Sequence, residues 1–187
     1  MFGTLNMQVI VSNQAANGWT LLPLWGEGLS LQRWVMMVPM ALSFVIFVTC
    51  VFAEANRTPF DMAECETDLV GGYHTEYSSM KFASFFMGEY AAMVIGSAVV
   101  VTLFLGGWSI GFGADAALAA YSEWLAVLCQ LCMFIVKLLA FIFFFVWVRW
   151  TLPRFRWDQV MKLGWLYFLE ITVANIFLAA AVLYFIK

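Results

Sequence analysis

The chain has 187 residues, of which 64% are hydrophobic, 18% aromatic and only 11% charged, with a formal net charge of −3. Soluble domains carry about 25% charged residues, so this composition excludes an ordinary soluble enzyme and describes an integral membrane protein. There is no basic patch to neutralise phosphates, which excludes nucleic acid as a partner.

The first segment, MFGTLNMQVIVSNQ, lacks a basic n-region and an apolar run ending in a small-residue cleavage site, so it does not read as a signal peptide. Four lipid-length apolar segments follow. Trp34 to Ala53 carries no charge, Phe82 to Gly107 carries Glu89, Trp124 to Val148 carries Lys137, and Leu163 to Ile186 carries Glu170. A spanning helix needs about 20 mostly apolar residues. Lipid admits only helices and closed barrels, and these runs are too long for barrel strands. The expected fold is therefore an all-α membrane protein, one membrane domain over residues 1–187. Its spans are expected at 34–53, 82–107, 124–148 and 163–186, with a long acidic loop over 54–81.

The first connection carries Arg57 and Lys81, and the last carries Arg149, Arg154, Arg156 and Lys162. The middle one, Trp108 to Glu123, has no Lys or Arg. The positive-inside rule then puts the first and third loops on the cytoplasmic (or matrix) side and both chain ends on the other. Tryptophans at 25, 34, 108, 124, 147, 150, 157 and 165 fall near the expected span ends, as an interfacial belt should. Cys129 and Cys132 match C-x-x-C, but inside an apolar run with no nearby His they read as small packing residues.

Half of the twelve acidic residues sit in EANRTPFDMAECETDLVGGYHTEY: Glu54, Asp61, Glu64, Glu66, Asp68 and Glu76. Thr58-Pro59-Phe60-Asp61 has the grammar of a helix start, with Thr58 as cap and Pro59 at the first position, and Gly71-Gly72 offers a stop. On such a helix Asp61, Glu64 and Asp68 share one face and repel, with Arg57 as the local partner one turn before Asp61. A solvated acidic loop is the plain alternative. Against it, acids continue into the flanking spans: Glu54 can extend the first helix, and Glu89 lies about two turns into the second. Intramembrane carboxylates are functional candidates, often in proton relays. Glu54, the loop acids, Glu76 and Glu89 thus form a candidate chain of titratable groups from aqueous loop to membrane interior.

The stretch EANRTPFDMAECETDLVGGYHTEYSSMKFA with the following GEY, then TLFLGGW at 102–108 and WVRWTLPRFRWDQVMKLGW at 147–165, resembles the H-type membrane subunit of the proton-pumping NADH:quinone oxidoreductases (respiratory complex I). GTLNMQVIVSNQ is similar to the family's segment after its fourth span. The family has eight transmembrane helices and this chain corresponds to the last four, so the resemblance implies half of an eight-helix bundle. It also implies a membrane protein that forms part of the quinone chamber and the start of the proton path. Quinone is then the substrate of the complex, and other membrane and peripheral-arm subunits and the lipid bilayer are partners. FMN and iron–sulfur clusters are expected in other subunits, with no metal and no cofactor in this chain, which lacks a Cys₄ spacing and a dinucleotide fingerprint. The implied location is the bacterial plasma membrane, with the mitochondrial inner membrane as alternative.

Carried over residue by residue, Glu54 and Glu89 match the proton-path acids, and Arg57, Asp61, Glu64, Glu66, Asp68 and Glu76 match the charged loop beside the quinone cavity. Two positions depart from the family pattern: Asp68 replaces a Glu, and Glu170 stands where Pro is expected. His74, the single histidine, suits a loop hydrogen bond or a proton relay. Lys137 suits either the proton path or helix pairing. A related energy-converting hydrogenase, or a dehydrogenase fed by another donor, would use the same acidic loop. A stand-alone ion transporter fits less well, since no inverted repeat is visible.

Overall fold

The computed structural model describes residues 4–21, 31–61, 76–111 and 114–185, apart from the side chains of residues 31–33 and 116. No strand occurs among these residues. The elements are α1 (Met7–Asn17), α2 (Leu31–Glu54), α3 (Met80–Phe104), α4 (Ala114–Tyr121), α5 (Glu123–Thr151), α6 (Trp157–Lys162), a π-helical segment (Leu163–Phe168) and α7 (Leu169–Phe185). α6, the π segment and α7 run on as a single helix. Four helices are long and apolar enough to cross a membrane: Trp34–Glu54, Met80–Phe104, Glu123–Thr151 and Trp157–Phe185. The protein is a multi-pass all-α membrane protein, as its composition requires.

The helix ends differ from the expected bounds for local reasons. α2 runs through Pro39 and takes in Glu54. α3 stops at Phe104, before Gly106 and Gly107, which adopt φ of 75° and 53°; such positive φ suits glycine and ends the helix. The last helix begins at Trp157, well before the apolar run, where the backbone N–H of Arg156 donates to Gln159 Oε1 at 3.1 Å. α4 was not expected in the middle connection. Its Ala-rich sequence favours helix, and Asp115 in its first turn suits the helix dipole.

α2 packs on α3 and α7, α5 on α3 and α4, and α1 on α3. The core holds Val48, Val51, Phe52, Phe60, Met93, Val100, Phe104 and Phe145, with Phe52 stacked on Phe145 at a centroid distance of 3.9 Å. Lipid tails are as apolar as these side chains, so van der Waals fit holds membrane helices together and small residues set their approach. Gly96 is such a residue: a Cβ there would collide with Val51 of α2.

The C-terminal end of α3 is densely hydrogen-bonded. A helix end leaves four carbonyls without intrahelical partners, and irregular backbone at membrane depth must find partners inside the protein. The N–H groups of Leu105 and Gly107 both reach Val101 O at 3.0 Å. Gln14 Nε2 donates to Leu103 O at 2.7 Å and to Thr102 O at 3.4 Å. Thr20 Oγ1 also donates to Leu103 O, at 3.0 Å, and Leu21 N–H donates to Phe104 O at 3.2 Å. Lys137 supplies the rest: its Nζ donates to Leu105 O at 2.8 Å, Gly107 O at 3.1 Å and Ser109 O at 2.6 Å. The same ammonium lies 4.2 Å from the Trp19 ring centroid. One turn on, Asp115 accepts from Ser109 Oγ at 2.8 Å, and from Ile110 N–H and Gln130 Nε2, each at 3.3 Å.

Candidate functional site

The opposite end of the bundle, where α2 leaves for the acidic loop, gathers the charged residues. Residues 58–60 do not begin a helix. They form a turn closed by Phe60 N–H donating to Arg57 O at 2.9 Å. The expected one-turn spacing between Arg57 and Asp61 therefore does not exist, and the two residues take different partners. Arg57 Nη2 lies 3.3 Å from Glu89 Oε2, both side chains nearly buried at 11% and 12% exposure. The Arg57 guanidinium also sits 4.5 Å from the Tyr90 ring centroid. Asp61 Oδ2 faces Arg154 Nη2 at 3.8 Å. That spacing, in a partly exposed pair, is loose.

This second pair is part of a wider contact between the first and third connections. Phe155 N–H donates to Pro59 O at 3.0 Å, and the Phe60 and Phe155 rings meet at 5.6 Å. The TPF and PRF tripeptides, some ninety residues apart, thus dock on each other. Sequence reasoning placed Arg149, Arg154 and Arg156 on the cytoplasmic (or matrix) side, as anchors of that face or contacts for a peripheral arm or lipid head groups, and missed this contact; no periodicity links two loops.

Among the cavities lined by described residues, two touch the docked loops and another lies beside α2. One of about 470 Å³ is lined by Arg57, Tyr90, Phe145, Arg149, Trp150 and Arg154. A second, about 620 Å³ and apolar, lies between α2 and α5, with Phe44, Phe52, Phe60, Phe141, Phe144 and Phe155 in its wall. The third, about 330 Å³, lies between α2 and α3 and includes Glu54, Ala92 and Gly96. Glu54 is exposed at the last position of α2, and Ala92 is one helical turn from Glu89. The structure therefore brings two pairs, Arg57 with Glu89 and Asp61 with Arg154, to this end of the bundle, where Arg57 and Arg154 line one cavity and Glu54 another.

Glu76 is exposed just before α3 and forms no ion pair with these residues. Glu64, Glu66, Asp68 and His74 lie outside the described residues. Lys137 lies at the far end of α3 with its three N–H donors committed to carbonyls, a helix-pairing geometry. Cys50, Cys129 and Cys132 are free thiols, and no group of His, Cys, Asp and Glu among the described residues is placed to hold a metal.

The sequence matches the model of a family described as NADH dehydrogenase over residues 1–180. It is 43% identical over 183 residues to the NADH-quinone oxidoreductase H-type subunit of Flavobacterium johnsoniae, an alignment covering 98% of this chain and 47% of that protein. The same-named protein of Flavobacterium psychrophilum is 41% identical over 187 residues, 100% of this chain and 50% of the relative. NADH-quinone oxidoreductase subunit 8 of Rhodothermus marinus is 41% identical over 181 residues, 95% of this chain and 50% of the relative. The chain spans about half the length of the curated relatives it matches. A match that runs through both docked loops, three spanning helices and most of the fourth means that this chain belongs to the NADH dehydrogenase family of membrane proteins.

Proposed function

We propose that the chain serves as a membrane subunit of a proton-translocating NADH:quinone oxidoreductase, where it forms part of the quinone chamber and the first stretch of the proton path. The observation that carries this reading is the Arg57–Glu89 pair. A cation from the loop reaches down to a carboxylate on a spanning helix and ties the aqueous boundary to the membrane interior. The names of the relatives supply the reaction, and the bacterial sources of those relatives support a plasma membrane location.

Quinone reduction to quinol takes up two electrons and two protons. FMN and iron–sulfur clusters in other subunits would supply the electrons. This chain's own residues handle charge and position. Glu89 gains a proton only by giving up its attraction to Arg57, so protonation and loop position are coupled. The Phe155 N–H to Pro59 O hydrogen bond and the Phe60–Phe155 ring contact hold the first and third connections together, with Asp61 and Arg154 facing each other alongside, and the apolar cavity beside them suits the hydrocarbon part of a quinone. Glu54, beside its own cavity between α2 and α3, provides a second carboxylate towards the membrane. By sequence, Glu64, Glu66, Asp68, His74 and Glu76 belong to the same connection, the part of the chain proposed to meet peripheral-arm subunits.

The test is a pair of rates in membranes carrying the assembled complex: donor to an artificial peripheral acceptor, and donor to quinone with proton uptake. Glutamine keeps the size and polarity of the carboxylate and removes its proton chemistry. Glu89→Gln and Glu54→Gln are expected to leave the first rate intact and to impair the second, more severely at Glu89, where the buried Arg57 loses its counter-charge. Normal coupled pumping in both variants would return these acids to structural roles.

A further inference from the structure

We infer that the outward face of α7 around Glu170 is a docking surface for a transmembrane helix from outside this chain that carries a lysine or arginine at the level of the bilayer centre. Glu170 is the fourteenth of 29 residues in the spanning helix Trp157–Phe185, so it lies near mid-membrane. It is exposed. Among the described residues it has neither a hydrogen-bond nor an ion-pair partner. Lys137, the cation near the middle of a spanning helix (Glu123–Thr151) among the described residues, has its three donors committed elsewhere. Lys162 is eight residues back on the same helix, about 12 Å along the axis.

The direction Glu170 faces follows from how α7 is anchored. Asn175 is the buried residue of α7, and its Nδ2 donates to Pro39 O at 3.0 Å and Ser43 Oγ at 2.8 Å, both on α2. Five residues separate Glu170 from Asn175, a rotation of about 140° at about 100° per residue. Glu170 therefore projects away from α2. Val173 and Phe177, 45% and 70% exposed, lie on the same side. The π segment Leu163–Phe168 just before it turns α7 relative to α6, so this orientation is set by the helix itself.

A carboxylate at the bilayer centre costs a few kcal/mol and persists where it meets a partner. Lipid tails and purely apolar helices can cover Val173 and Phe177 but leave Glu170 unmatched. A helix with a cation at this depth satisfies all three. The inference rests on the helix crossing a bilayer and not on quinone chemistry, so a chain inactive towards quinone would still show the contact.

A photo-crosslinking amino acid placed at Val173 or Phe177, in the chain within its native membrane, reads the contact directly. The expected result is capture of a helix from outside residues 1–187 with Lys or Arg within one turn of the depth of Glu170. Adding Glu170→Lys is expected to lower capture at least about tenfold through like-charge opposition. Changing the partner's cation to Glu should then restore it. A crosslinker at Ala179, one turn from Asn175, should still capture α2 in every variant, which shows that the fold is intact. Lipid adducts alone, capture of a second copy of this chain or of a helix without a cation at that depth, or capture indifferent to Glu170→Lys would each overturn the inference.

Discussion

Replacing Lys137 with methionine keeps the length and apolar stem of the side chain and removes the ammonium that serves Leu105, Gly107 and Ser109. Hydrogen bonds within membrane proteins contribute about 0.6–2 kcal/mol each, so losing three costs roughly 2–6 kcal/mol. With the helices separated in the bilayer the ammonium would still lie in lipid, so the penalty for inserting it does not cancel this loss. The expected effect is local: the backbone after α3 loosens, because Gln14, Thr20 and Leu21 hold only the carbonyls before Leu105. A cysteine at Ile110, whose side chain takes no part in these bonds, should be labelled faster in Lys137→Met than in the parent. The thermal midpoint of the assembled protein in mild detergent should fall. Unchanged labelling and midpoint, combined with lost proton uptake, would refute the helix-end role and return Lys137 to the proton path.

Two other outcomes are expected. Cysteine labelling should find residues 59–75 and residues 114–120 on opposite sides of the membrane, the former cytoplasmic; the reverse would remove the proposed contact with a peripheral arm. Gly96→Ala should destabilise the α2–α3 contact by about 1–3 kcal/mol through overpacking against Val51, and Val51→Ala in the same chain should recover most of the lost thermal stability; no loss in the single variant would mean that the helices do not meet there.

The spanning helices were legible because lipid thickness demands long apolar runs, and a charge inside such a run stands out; Glu89, Lys137 and Glu170 were found that way. What each charge does was not legible. Helical spacing offers only neighbours on the same helix, so it paired Arg57 with Asp61. In the structure a turn at 58–60 releases both residues to distant partners, Glu89 and Arg154. Lys137 was visible as an anomaly, but its carbonyl partners are backbone atoms, which carry no sequence signature. α4 escaped for another reason: eight residues of mostly alanine give a helix too short for a hydropathy window.

The docking of Phe60 and Asp61 onto Phe155 and Arg154 also sets an order of assembly. A ribosome adding about 5–20 residues per second exposes the first connection to the aqueous side for several seconds before its counterpart exists. Arg57 can meet Glu89 as soon as α3 is in place, whereas Asp61 must wait for all of α5. Insertion of this chain is thus staged, with the inner tie closing first and the loop clasp last. A nascent chain arrested before residue 150 would carry Pro59, Phe60 and Asp61 undocked, open to whichever assembly factor meets them first.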